Sequence, residues 1–280
     1  AKNWGRMPHV IERIIAARAE GIDAAANVYP YAASSTSLST LVPDWSMEGG
    51  YAELKKRLAD PAQRARIAET LQAQFTKRGP KGIYITRIGN PRYTQYEKHY
   101  VEEIATMMNL TPDEAMMKLF SDTNSSPNVI FFSMNEGDVQ TALKQSFVSI
   151  GSDSGSPTPE ARARGLAVHP RAYGTFPRVM GHYVRDEHLF TLEEAVRKAT
   201  SQAADRTNLS DRGVLRPGMK ADVVIFDPEK IRDVSTYEDP HHFSEGILDV
   251  IVNGAPVLRD GTMTTALPGR VLRGPGFIRR

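Results

Sequence analysis

The sequence predicts an α/β fold built on a parallel sheet and followed by a small β domain, and three observations carry that expectation. Four short apolar runs with strand character alternate with helical stretches, which is the pattern of a parallel α/β sheet. Three of the helical stretches start or stop on a recognisable signal, at Gly21, at Thr111-Pro112 and at Thr191 with Glu194. After Gly213 the texture changes to closely spaced short strands with an Asn253-Gly254 turn, which reads as a separate β domain.

Taken in order, "PHVIERIIAARAE" at residues 8 to 20 places Val10, Ile11, Ile14 and Ile15 on one side of a helix that Gly21 stops. "IDAAANVYPY" follows as a buried strand ending in polar and aromatic residues. A helical stretch from about Ala52 to Lys77 is interrupted at Asp60-Pro61, and "KGIYITRIG" is the second strand. Thr111-Pro112-Asp113-Glu114 opens a helix with Thr as N-cap and Pro at the first helical position. "NVIFFSM" is the third strand, "EGDVQTALKQ" a short helix and "FVSIGSD" the fourth strand. Thr191 with Glu194 forms a capping box before "LEEAVRKATSQAADR", and "AVHPRAYGTFPRVMGHYVRDE" between them reads as a loop. "ADVVIFD" and "DVIVNGAPVLRDG" are the strands of the tail. The implied division is residues 1–212 and 213–280.

Composition narrows the function classes. Across 280 residues, 40% are apolar and 24% charged, as in a folded globular protein. The net charge of +2, with acids and bases interspersed, suggests neither a nucleic-acid partner nor a membrane surface. The most basic stretch, "LKKRLADPAQRARIAETLQAQFTKRGPK", is broken by Glu53, Asp60 and Glu69 at helical spacing and reads as a solvated helix face. No apolar run is long enough to span a membrane and "AKNWGRMPHV" lacks a signal-peptide core. With no cysteine in the chain, disulfides, thiolate ligands and a Cys nucleophile are excluded, and a reducing, cytoplasmic location is expected.

In parallel α/β folds the chemistry gathers where strands end. The ends here carry Tyr29 to Ser35, Arg87 to Asn90, Met134-Asn135, and Asp153 in "SFVSIGSDSGSP". Asp153 is open to two readings, a turn residue bonding its own backbone or a base or metal ligand at the sheet rim. Of the seven histidines none makes His-x-His or His-Glu-x-x-His spacing, and adjacent His241 and His242 would point to opposite faces of a strand. Arg171 and Arg178 lie beside aromatic residues, and an Arg fork suits a substrate carboxylate as well as a surface ion pair. Neither a Gly-x-Ser-x-Gly elbow nor a phosphate-binding loop is present.

Taken together and in order, "NVYPYAASST", "FFSMNE", "IGSDSG", "HPRAYGTFPRVMGHYVRDE", "DRGVLRPGMKADVVIFDP" and "VLRGPG" resemble the C-terminal half of an N-acyl-D-amino-acid deacylase (D-aminoacylase) of the amidohydrolase superfamily. The resemblance implies the C-terminal half of a TIM-like (β/α)8 metallo-dependent hydrolase barrel plus part of a small β-sandwich. It implies zinc-dependent hydrolysis of N-acyl-D-amino acids, with Asp153 as metal-site residue and general base. By the same resemblance Tyr29, Ser35 and Arg171 hold the substrate carboxylate and Met134 forms a pocket wall. The family's His-x-His, bridging cysteine and two further metal histidines precede "KNWG", so the remaining zinc ligands are expected upstream of residue 1. Only four of the eight strands of a closed barrel are recognisable, in line with a chain that lacks its metal-binding half. Two departures are Asn27 where the family has Asp, and the inserted Ser154. A related amidohydrolase of cyclic amides or D-dipeptides, and a non-catalytic chain, either a degenerate fragment or a subunit completing a barrel with a partner chain, remain as alternatives.

Overall fold

The computed structural model describes residues 3–164, 168–274 and 276–277, so Lys2 of "KNWG" and Pro275 of "VLRGPG" lie outside the described residues. The chain runs α1 (Met7–Ala19), β1 (Ala26–Val28), β2 (Ser34–Ser37), α2 (Asp44–Met47), α3 (Tyr51–Ala59), α4 (Pro61–Arg78), β3 (Ile83–Arg87) and β4 (His99–Tyr100). It continues through α5 (Val101–Met108), α6 (Pro112–Asp122), β5 (Asn128–Phe131), α7 (Glu136–Leu143), β6 (Val148–Ile150) and α8 (Pro159–Ala163). Then come α9 (Arg171–Arg178), a π-helical run Val179–Asp186, α10 (Leu192–Ala199), α11 (Ser201–Arg206), β7 (Val223–Phe226), β8 (Ile247–Val252), β9 (Ala255–Arg259) and β10 (Thr262–Met263). These elements fall into two compact units, residues 1–5, 31–136 and 157–169 in one, and 6–30, 137–156 and 170–280 in the other.

The first unit is a four-stranded sheet, β2-β5-β3-β4, with helices α3 to α6 packed against it. Leu54, Leu58, Ile67, Leu71, Ile104 and Phe120 from the helices bury against Ile83, Ile85, Val129 and Phe131 from the strands. The break between α3 and α4 is local chemistry: Pro61 cannot continue α3, while the Asp60 side chain accepts from the Gln63 N–H at 2.8 Å and caps α4. Thr111 and Glu114 close the capping box of α6 reciprocally.

Strand direction differs from the sequence expectation. β3 and β5 pair antiparallel, with Ile83 opposite Phe131, and β5 pairs antiparallel with β2 on its other edge. A strand covered on both faces reads as a continuous apolar run whichever way it points, and the first four residues of β3 are all buried. β2 is Ser-Ser-Thr-Ser and shows no apolar alternation at all.

In the second unit β1 and β6 form the expected parallel pair, Asn27 opposite Ser149, extended by the Gly151 N–H donating to Val28 O at 3.1 Å. Val139 and Leu143 of α7, Ile150, Val179, Tyr183 and Ala195 make its core. On α1 only Ile11 of the expected stripe is buried, whereas Val10 and Ile15 are half exposed, because the four residues spread over a wider arc than the contact. The tail forms an antiparallel sheet, β10-β9-β8-β7. Its β8–β9 turn carries positive φ at both Asn253 (49°) and Gly254 (83°), as a tight two-residue hairpin requires.

The stretch expected as a loop after His169 is helical from Arg171 to Asp186. Pro177 and Gly181 suggest a loop, yet both are accommodated. Pro177 has no N–H for the Tyr173 carbonyl one turn back, and Ser244 Oγ donates to that carbonyl instead at 3.1 Å. Gly181 leaves room for the Ile231 backbone carbonyl, which a Cβ would strike.

Candidate functional site

Because β1 and β6 run parallel side by side, the residues beyond their carboxyl ends emerge together. Tyr29 follows β1 and Asp153 follows β6 by way of Gly151 and Ser152. Asp153 takes φ of 47°, a left-handed conformation that Asp tolerates better than most side chains, and its carboxylate is 71% exposed. Arg171, the first residue of α9, is buried, and its Nη2 lies 3.0 Å from Asp153 Oδ2 while Nε donates to the Asp153 backbone carbonyl at 3.0 Å. The guanidinium carbon stands 4.6 Å from the centre of the Tyr29 ring, within cation–π range. Burial pushes the Tyr29 phenol above its ordinary pKa; the Arg171 charge pulls it down and the Asp153 charge adds to the rise.

So the structure brings Tyr29, Asp153 and Arg171 together. Ser35 and Met134 belong to the other compact unit: Ser35 lies in β2 opposite Ile130, and Met134 is half-buried just after β5. In that unit buried His169 meets the Ala33 carbonyl at 3.0 Å through Nε2 and sits edge-on to Tyr31 at 5.3 Å, a contact between two of the motif stretches that sequence reading did not single out.

His241 and His242 do diverge. His241 Nδ1 lies 2.9 Å from the Tyr173 hydroxyl, whereas His242 Nε2 lies 2.7 Å from Asp239. Among the described residues no group of three or more His, Asp or Glu is placed to hold a metal ion. Asp153 contributes a single carboxylate that is engaged by Arg171, whereas zinc takes three or four protein ligands. The residues present therefore do not make a metal site by themselves. What they offer chemically is an exposed carboxylate able to exchange protons and a buried, oriented guanidinium able to grip an anion.

Sequence reading singled out Arg178 for its aromatic neighbours but missed what it and Tyr183 hold. Arg178, on the same face of α9 two turns on, donates from Nε to the Pro30 carbonyl at 2.8 Å and approaches Asp233 at 3.5 Å. Tyr183 is fully buried with its hydroxyl 3.5 Å from the same carbonyl. No helix among the described residues is long and apolar enough to cross a membrane.

A profile of the amidohydrolase family matches residues 7–258. An N-acyl-D-glutamate deacylase of Alcaligenes xylosoxydans xylosoxydans is 32% identical over 276 residues, covering 99% of this chain and 46% of that protein. A D-aminoacylase of the same organism is 48% identical over 143 residues, 51% of this chain and 28% of that protein. Among solved structures, an N-acyl-D-glutamate deacylase of Bordetella bronchiseptica, complexed with zinc and a phosphonate mimic of the tetrahedral intermediate, aligns with a TM-score of 0.69 at 30% identity. That alignment covers 95% of this chain and 47% of the other. The chain thus spans less than half the length of the curated relatives it matches.

Proposed function

The chain belongs to the amidohydrolase family, and from that membership we propose that it is part of a metal-dependent hydrolase that cleaves the amide bond of N-acyl-D-amino acids to a D-amino acid and a carboxylate. The observation that carries the reading is the convergence of Tyr29, Asp153 and Arg171 at the carboxyl ends of a parallel strand pair. Relatives named N-acyl-D-glutamate deacylase, N-acyl-D-aspartate deacylase and D-aminoacylase support the substrate class.

On this reading Asp153 is the general base. It takes a proton from the attacking water and returns it to the amine nitrogen as the C–N bond breaks, a task worth ~10²–10⁴-fold in rate. Its exposed carboxylate, poised on a turn, suits that exchange. Arg171 and Tyr29 hold the substrate's α-carboxylate; the five N–H donors of a guanidinium suffice for residue 153 and a substrate oxygen together. Ser35 and Met134 are further substrate-binding residues. The metal is zinc, with Asp153 one ligand and the others supplied by polypeptide outside these 280 residues. Residues 1–212 belong to the hydrolase barrel and 213–280 to a small β domain.

The test is release of free amino acid from N-acetyl-D- and N-acetyl-L-amino acids by the full-length protein, with zinc measured by elemental analysis. D-selective release with bound zinc is expected. A zinc-loaded protein that releases nothing from any N-acyl-D-amino acid would overturn the reading.

A further inference from the structure

We propose that Arg178 is a positioning residue for Tyr29, holding it through the Pro30 carbonyl and itself held by Asp233. The inference rests on the proposed function only for what Tyr29 does once positioned.

Arg171 and Arg178 are seven residues apart on one helix, so both project from the same face of α9. Both reach the end of β1. Arg171 stacks on the Tyr29 ring at 4.6 Å, and Arg178 donates from Nε to the carbonyl of the next residue, Pro30, at 2.8 Å. Pro30 is buried and its φ is locked by the ring; the residue before a proline is confined to extended backbone. The Pro30 carbonyl lies one residue beyond Tyr29, and with the proline ring locking φ between them, holding that carbonyl restrains the backbone that carries the Tyr29 side chain. Tyr183 adds a second approach to that carbonyl, with its hydroxyl at 3.5 Å and its ring 5.8 Å from the Arg178 guanidinium.

The other side of Arg178 faces the segment between β7 and β8. Nη1 lies 3.5 Å from Asp233 Oδ2, and both side chains are largely shielded, 25% and 12% exposed. The same segment fastens α9 at two more points, Ser244 Oγ on the Tyr173 carbonyl that Pro177 leaves unserved and His241 Nδ1 2.9 Å from the Tyr173 hydroxyl, and its Ile231 backbone lies against Gly181 in the π-helical run that continues α9. α9 is therefore clamped from behind while two arginines grip the end of β1 in front. An arginine that only filled space would need neither the carbonyl at 2.8 Å nor the carboxylate behind it.

The test places a fluorotyrosine at position 29 of the full-length protein and reads its fluorine NMR resonance. Arg178→Gln and Asp233→Asn should each move the resonance, and the double variant should move it no further than Arg178→Gln alone, because the two act in series. Arg178→Lys keeps the charge and one donor, so it should move the resonance less, and it serves together with Asp233→Asn if the glutamine variant does not fold. In turnover, Arg178→Lys should raise KM for N-acetyl-D-amino acids by about 10- to 100-fold, as small misplacements of binding groups do, and leave KM for their C-terminal carboxamides unchanged. A resonance unmoved by these variants, additive shifts in the double variant, or equal KM losses for both substrates would overturn the assignment. If the unmutated protein hydrolyses no N-acyl-D-amino acid, the functional reading fails while the resonance still decides whether Arg178 positions Tyr29.

Discussion

The Arg171 guanidinium holds residue 153 twice, through Nη2 on the Asp153 carboxylate at 3.0 Å and through Nε on the Asp153 backbone carbonyl at 3.0 Å. With the carboxylate 71% exposed, the ion pair alone is worth no more than ~1 kcal/mol. The geometry matters more, because a planar fork fixes both the main chain and the side chain of a residue in a left-handed turn. Arg171→Lys keeps the charge and loses the fork. Under the proposed function it should weaken N-acyl-D-amino acids with a free α-carboxylate and spare their carboxamides. Steady-state kinetics on the two substrate sets checks this, and equal losses would make Arg171 purely structural.

Lys198 of α10 is fully buried and donates to the carbonyls of Gln145 and Val148 at the start of β6, the strand that leads to Asp153. Lys198→Met would leave those carbonyls without this donor and should cost ~1–3 kcal/mol of stability. Burial lowers the Lys198 pKa, so the unfolded chain binds that proton more tightly than the folded one. Stability from this group therefore rises with pH from the lowered value toward the ordinary ~10.4. Urea unfolding should show wild type gaining on the methionine variant as pH rises through that window. A gap that stays constant would contradict the assignment.

Gly181→Ala should destabilise by ~1–3 kcal/mol, because the new methyl meets the Ile231 carbonyl. The sign is diagnostic: in an unobstructed helix interior, alanine for glycine stabilises by roughly 0.5–1 kcal/mol. Thermal unfolding decides it, and a rise in Tm would show that the helix does not approach Ile231 this closely.

In the first unit, Asp122 accepts from the Tyr93 hydroxyl and from Lys118 Nζ, the latter at 2.9 Å, and these bonds hold its carboxyl below the usual range. A lowered carboxyl pKa gives stability that is present above the unfolded value of ~3.9 and lost as pH falls toward the folded one. Tyr93→Phe removes the largest cause of the shift. It should flatten the acid limb of the stability curve, and an acid limb as steep as that of wild type would argue against the pairing.

Local signals were legible in the sequence. Asp60-Pro61, Thr111 with Glu114, and Asn253-Gly254 each encode their cap or turn in adjacent residues, and the structure forms all three. Asp153 after an apolar strand was legible for the same reason. Strand direction was not, since β3 is buried on both faces whichever way it runs, and β2 pairs through backbone groups without an apolar pattern. The helix from Arg171 was hidden because its compensation is distant: Ser244 serves the carbonyl that Pro177 leaves, 71 residues from Tyr173. Arg178 drew notice beside its aromatic neighbours, but its partner Asp233 lies 55 residues away and no spacing rule connects them.

The central claim is that Asp153 is the general base of an N-acyl-D-amino-acid hydrolase, and turnover by Asp153→Asn in the full-length protein tests it most directly. Asparagine keeps the size of the side chain and cannot accept the proton. The variant should retain the circular dichroism spectrum of the wild type and lose ~10²–10⁴-fold in kcat on N-acetyl-D-amino acids. Near-normal turnover by a folded Asp153→Asn protein would contradict the account.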